Sequence, residues 1–168
     1  MKVSIYVLIV FLLIISCIGD KHQILSYNPT DSSQYLYFKN GNEITNIIDL
    51  NTISIKEYIK IIRSTKRISK HDIYMIVVGA SDSGWVKKND VPYLMTLVSS
   101  EESVPCVMNI FSSQLPNNTS TLGGHAIQLI HSYQLHRPFP LTLTECPSGN
   151  SSEIQSIKIW WEKENSKK

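Results

Sequence analysis

Hydrophobic residues recur along most of the chain at the spacing of one face of an α-helix. The first such stripe consists of Ile55, Tyr58, Ile59 and Ile62, which follow the i, i+3, i+4, i+7 pattern. Ser54 and Glu57 stand in the order of a capping box, which predicts a helix that begins near residue 55. The same spacing recurs over residues 73–80, 91–98, 104–111, 126–133 and 154–161. The sequence therefore predicts six short helices.

Two segments also fit β-structure. Aromatic and β-branched residues flank Asn40-Gly41, which predicts a small N-terminal hairpin; a short helix over residues 43–50 is the alternative. The run from Tyr74 to Val78 has the composition of a strand. Its fit to the helical stripe favours a helix there.

The pattern of helices and turns resembles small HEAT-like helical-repeat proteins over about residues 52–134. The resemblance is carried by residues 85–94, where Asp90 can cap a helix and Pro92 lies in its first turn, and by a similar unit at 121–130. It implies a binding scaffold rather than an enzyme. We predict a mainly α fold: short antiparallel helices in a HEAT-like or irregular bundle.

The N-terminus has the features of an export signal. Lys2 precedes an apolar run over residues 3–15, which is short for a membrane span. The four residues from Ile14 to Cys17 resemble a bacterial lipobox, and the resemblance implies cleavage before Cys17 and lipidation of this cysteine. An ordinary secretory signal and an uncleaved signal anchor are the alternatives.

These features predict a simple organisation. An export signal occupies residues 1–16, a lipid-anchored flexible tether residues 17–33, and a single helical domain residues 34–168. The formal net charge is only +2, so nucleic-acid binding is not expected. The expected location is the bacterial cell envelope, with the membrane contacted through the lipid at Cys17; a soluble secreted protein is the alternative.

Cys106 and Cys146 remain after Cys17 is assigned to the anchor. An oxidising compartment allows them to form a disulfide. The alternative is one buried thiol and one thiol in a loop, since two cysteines carry no diagnostic spacing.

Candidate catalytic residues are few. Ser81 lies between glycines at 79 and 84, but Ser83 stands where a nucleophile elbow requires its second glycine. His125, His131 and His136 cannot converge from one helix, so no metal site is expected. We predict no enzyme and no cofactor. The alternative is an envelope hydrolase that uses Ser81 with Asp82, or Cys106, together with His125.

Aromatic side chains suggest a binding role instead. Adjacent residues on a helix differ by about 100° in direction, so Trp160 and Trp161 cannot both face one core. The candidates for partner binding are Trp160, Trp161, Trp85 and Tyr133. The predicted function is a non-enzymatic envelope lipoprotein that binds a protein, with immunity-type sequestration of a toxin as a specific form. A structural scaffold of the envelope is a further alternative.

Overall fold

The fold combines a mixed β-sheet with four α-helices. The structure, a computed structural model, describes residues 35–40, 43–64, 74–114, 116 and 118–166. The described strands are β1 (Tyr35–Asn40), β2 (Glu43–Ile48), β3 (Tyr74–Val77), β4 (Ser103–Val104), β5 (Cys106–Asn109), β6 (Ser120–Thr121) and β7 (Thr144–Glu145). The described helices are α1 (Ile55–Ser64), α2 (Val91–Met95), α3 (Leu122–Leu135) and α4 (Ser151–Asn165).

Five strands form the main sheet in the order β1-β2-β3-β5-β7. The central strands β2, β3 and β5 are parallel, whereas β1 and β7 are antiparallel to their neighbours. Strands β4 and β6 form a separate antiparallel pair. The predicted N-terminal hairpin is present as β1 and β2, with Asn40 opposite Glu43.

The predicted mainly α fold is wrong, because the structure has mixed α/β content. Residues 73–80 and 104–111 were expected to be helices, and they contain β3, β4 and β5 instead. From Tyr74 to Val78 every residue is apolar. A continuous apolar run contains the helical spacing whether or not it forms a helix. Residues 104–109 are all buried. Periodicity cannot distinguish a strand covered on both faces from a buried helix.

The other four predicted helices are present. In α1, the capping box forms as expected: the Glu57 amide donates to Ser54 Oγ (3.3 Å), and the Ser54 amide donates to Glu57 Oε2 (2.8 Å). Pro92 lies in the first turn of α2. These helices pack against a sheet rather than against successive helical repeats, so the HEAT-like arrangement is also wrong.

The hydrophobic core lies between the sheet and the helices. Ile48, Val77 and Val107 face it from the central strands, and α1, α2, α3 and α4 contribute buried side chains to the same cluster. Helix α3 is the most enclosed helix, with residues 122–127 all buried. Its first turn lies against backbone on two sides, because a Cβ at Gly123 or Gly124 would overlap the backbone of Ser100 or Pro147.

Several predictions fall on the N-terminal part of the chain. The export signal, Cys17 and the tether lie outside the described residues. Within the described ranges, no helix has the length and apolar character needed to cross a membrane.

Candidate functional site

Two groups of aromatic rings dominate the candidate chemistry, and the first is buried except for Trp85, which is partly exposed. Tyr58, Trp85, His125 and Phe139 form what we call the inner cluster. The ring of Tyr58 lies edge-on to Trp85 and to Phe139, with centroids 5.6 Å apart in each case. Trp85 stacks on Phe139 at 6.2 Å with an angle of 19° between the ring planes. Tyr58, His125 and Phe139 are almost fully buried.

Hydrogen bonds fix the protonation state of His125 within this cluster. Nε2 lies 3.0 Å from the carbonyl oxygen of Pro105, which can only accept a hydrogen bond. Nε2 therefore carries the proton, and Nδ1 accepts a bond from the hydroxyl of Tyr58 at 2.9 Å. Both ring nitrogens are used, so His125 has no free nitrogen with which to activate a nucleophile.

Burial sets the electrostatics of the inner cluster. It lowers the pKa of His125 from 6.5 to about 4, although the bond to the Pro105 carbonyl opposes the shift. Burial also raises the pKa of Tyr58, with a further contribution from the Glu145 carboxylate. The pKa of Glu145 is itself raised by burial. At neutral pH the Tyr58–His125 pair is uncharged, as expected of a structural pair in a low-dielectric interior.

Ser81 holds a loop in place. It is buried, and it lies past the end of β3. Its Oγ accepts a hydrogen bond from the Phe139 amide (3.0 Å), and its own amide donates to the Phe139 carbonyl (2.7 Å). The hydroxyl donates to the carbonyl oxygen of Asp82 (3.3 Å). Ser81 thereby holds Phe139 in its position in the inner cluster.

The two cysteines form a disulfide. The sulfur atoms of Cys106 and Cys146 are 2.07 Å apart, so the predicted bond is present and Cys106 has no free thiol. The bond joins the start of β5 to the residue after β7. Because Pro105 precedes Cys106, the disulfide also secures the carbonyl group that binds His125.

Trp85 borders a shallow depression at the carboxyl ends of β2 and β3. The depression has a volume of about 550 Å³, and its lining includes Asn51, Asp82 and Asp90. The Trp85 indole N–H donates to the Ile53 carbonyl (2.8 Å), and the Asp82 amide donates to Asn51 Oδ1 (2.7 Å). These contacts hold the surrounding loops together. Trp85 therefore belongs to the inner cluster and lies apart from the other three candidates for partner binding.

The second aromatic group lies on the surface of α3 and α4, and we call it the outer cluster. It consists of Tyr133, His136, Trp160 and Trp161. Tyr133 contacts Trp160 at 6.4 Å and His136 at 6.4 Å, and the two tryptophans contact each other at 5.9 Å. Both tryptophans and Tyr133 are partly exposed, and His136 is exposed. Three of the four predicted partner-binding residues thus form one continuous surface.

Histidines and carboxylates do not gather into a metal centre. His125 is buried in the inner cluster, whereas His136 stands at the end of α3 in a left-handed conformation with φ of 48°. Among the described residues, no group of three or more His, Cys, Asp or Glu side chains could hold a metal ion.

Sequence reasoning missed Phe139 and the pairing of Tyr58 with His125. Phe139 lies in the Pro-rich loop before β7, and no local pattern indicates that such a residue is buried. The burial of His125 could have been predicted, because this residue lies four positions before Leu129 and hence on the apolar face of α3.

Comparisons with known proteins place this chain in no family. No protein-family model, no curated protein and no solved structure gives a significant match to it.

Proposed function

We propose that this protein is a lipid-anchored, non-enzymatic module of the bacterial cell envelope that binds another protein through the outer cluster. The observation that carries this proposal is the run of four touching rings on α3 and α4, three of which are partly exposed and one exposed. Tyrosine and tryptophan supply large contact areas at low entropic cost, and they are enriched among residues that dominate binding energy.

The surroundings of the rings support the same role. Ile159, next to Trp160 in α4, is 55% exposed. Tyr133 and Trp160 also pack against the core, so the surface is held rigid by the folded domain. A rigid aromatic surface loses little conformational entropy when a partner binds.

The side chains that a hydrolase would use for catalysis are instead engaged in contacts that stabilise the fold. This also favours a binding module. His125 uses both ring nitrogens, Cys106 is disulfide-bonded, and Ser81 binds the backbone of Phe139. Sequestration of an exported toxin is the specific form of binding that we propose, because a small module with a rigid aromatic face suits the capping of one partner.

A pull-down from envelope extracts tests the proposal. The lipidated chain, tagged at its C-terminus, is compared with Trp160→Ala, Trp161→Ala and the matched control Tyr93→Ala, which removes a partly exposed ring away from the outer cluster. We expect one stoichiometric partner with the unaltered chain and the control, and its loss with either tryptophan variant. Equal recovery of that partner by all four proteins would contradict the proposal. Circular dichroism confirms that each variant is folded.

A further inference from the structure

Exposed hydrophobic side chains concentrate at one edge of the main sheet, namely the edge formed by the carboxyl ends of its parallel strands. Of the seven large hydrophobic side chains that are exposed in the described part of the chain, five lie where the central strands end. We call these five the edge patch; they are Val78, Ile110, Phe111, Leu141 and Leu143. Phe111 is 78% exposed. Because apolar surface in water is costly, such a concentration marks a contact site.

The register of the sheet places these residues together. Ile48 pairs with Val77, Val77 pairs with Asn109, and the Asn109 amide donates to the Leu143 carbonyl (2.7 Å). This row crosses β2, β3 and β5 and ends at the residue before β7. Val78 and Ile110 follow the row directly, the Ile110 amide donates to the Val77 carbonyl (2.9 Å), and Phe111 comes next. Leu141 lies in the loop that enters β7 from the same edge.

The chain enters the domain at this same edge. Strand β1 is antiparallel to β2, and its first residue, Tyr35, pairs with Ile48. The row therefore begins at Tyr35 and continues through Ile48, Val77 and Asn109 to Leu143. The part of the chain that precedes Tyr35 is therefore attached to the domain at this edge. Residues 18–34 can span at most about 60 Å even when fully extended.

We propose that the edge patch rests on the lipid bilayer, with Phe111 inserted deepest, so that the anchored domain has a fixed orientation. This inference rests on the lipid anchor of the proposed function. The entry of the chain at the edge patch favours a bilayer over a second copy or another protein, because a short tether keeps the two surfaces at high effective concentration. The acyl chains hold the protein at the membrane, and apolar side chains that enter the interface add to this binding and fix the orientation of the domain.

The charge of the edge indicates which lipids contact it. Asp49 follows β2, and Asp82 lies in the loop after β3; both carboxyl groups are at the same edge. Lys87 lines the same depression as Asp82, so charges of both signs lie near this edge and they give no preference for anionic headgroups. We therefore expect it to form on zwitterionic phosphatidylethanolamine without a requirement for anionic lipid.

Photo-crosslinking in the native membrane tests the proposal on the full chain. Phe111 is replaced by p-benzoylphenylalanine, and Glu101, which is exposed before the amino end of β5, is replaced in the matched control. After irradiation we expect severalfold more phospholipid adduct at position 111 than at position 101. A protein adduct at 111 in place of lipid, including a dimer of this chain, would overturn the proposal. Equal or absent lipid adducts at both positions would also overturn it.

A measurement on the same sample separates this inference from the anchor. Mass spectrometry of the N-terminal peptide reports whether Cys17 carries a lipid. A lipidated Cys17 without an adduct at position 111 overturns the orientation alone. An unmodified Cys17 with a phospholipid adduct at 111 supports the contact and contradicts the anchor.

A second measurement gives the strength of the contact. The chain from residue 18 is used, because the buried core residues in the described ranges lie between positions 47 and 157, and circular dichroism confirms that it is folded. The variant Phe111→Ser should reduce its partition into phosphatidylethanolamine vesicles at least about tenfold, which corresponds to about 1.4 kcal/mol and is the lower end of what burial of a phenylalanine side chain contributes. Leu135→Ser, away from the edge patch, is the control. Equal partition of Phe111→Ser and the unaltered chain would overturn the proposal.

Discussion

The inner and outer clusters contain nearly the same residue types, yet the histidine and tyrosine of one are fully buried and those of the other are not. Each has a histidine and a tyrosine, and each has tryptophan. In the inner cluster Tyr58 and His125 are fully buried and bonded to each other. In the outer cluster Tyr133 and His136 retain exposure to solvent. The comparison shows that aromatic composition alone does not identify a functional site; burial and hydrogen bonding decide which group stabilises the fold and which is available to a partner.

Loss of the disulfide should disturb the inner cluster most strongly. Replacement of Cys106 and Cys146 by alanine removes a cross-link between residues 40 positions apart and frees the segment that includes Pro105. The entropy of the open loop predicts a loss of about 4 kcal/mol in the free energy of unfolding. Urea unfolding of the double variant, beside the unaltered protein with and without reductant, measures it. A double variant as stable as the oxidised protein would show that the disulfide does not support the core.

Acid should have the second largest effect, because protonation of His125 destabilises the inner cluster. Unfolded His125 takes up a proton below about pH 6.5, whereas folded His125 does so only near pH 4. The stability due to neutral His125 is therefore fully present above pH 6.5, falls as the pH drops, and is lost by about pH 4. The expected loss is about 3 kcal/mol. Glu145 acts in the opposite direction, because its raised pKa favours protonation in the folded state.

A glutamine substitution assigns this pH dependence. His125→Gln should flatten the curve of unfolding free energy between pH 6.5 and 4, because glutamine does not titrate in this range. Urea titrations at half-unit steps of pH provide the curves. An unchanged slope in His125→Gln would contradict the assignment.

Removal of a single hydroxyl group gives the most closely matched comparison. Tyr58→Phe leaves Nδ1 of His125 buried without a donor, which should cost about 1–3 kcal/mol. Tyr133→Phe makes the same chemical change at a partly exposed site and should cost less than about 0.5 kcal/mol. Equal effects in chemical denaturation would show that the two tyrosines have equivalent environments.

The sequence predicted part of this structure, and the failures have physical causes. The stripe of α1 has one apolar face and a capping box, so periodicity identified it correctly. The strands β3 and β5 lie in the interior of the sheet, and their apolar runs fit a helix equally well. Trp161 was predicted to lie on a binding surface because adjacent residues of a helix differ by about 100° in direction, so that Trp160 and Trp161 cannot both face one core. Trp85 was predicted to bind a partner, but its ring stacks on Phe139, a contact between distant parts of the chain that no local pattern indicates.

The central claim is that the outer cluster binds a partner and the inner cluster stabilises the fold. The most direct test measures, in one experiment, the amount of the stoichiometric envelope partner recovered per folded molecule of Trp161→Ala and of Tyr58→Phe. Residues that dominate an interface contribute about 2 kcal/mol or more, which corresponds to roughly 30-fold in affinity. We predict that Trp161→Ala loses the partner and Tyr58→Phe retains it. Retention by Trp161→Ala, or loss by folded Tyr58→Phe alone, would contradict this account.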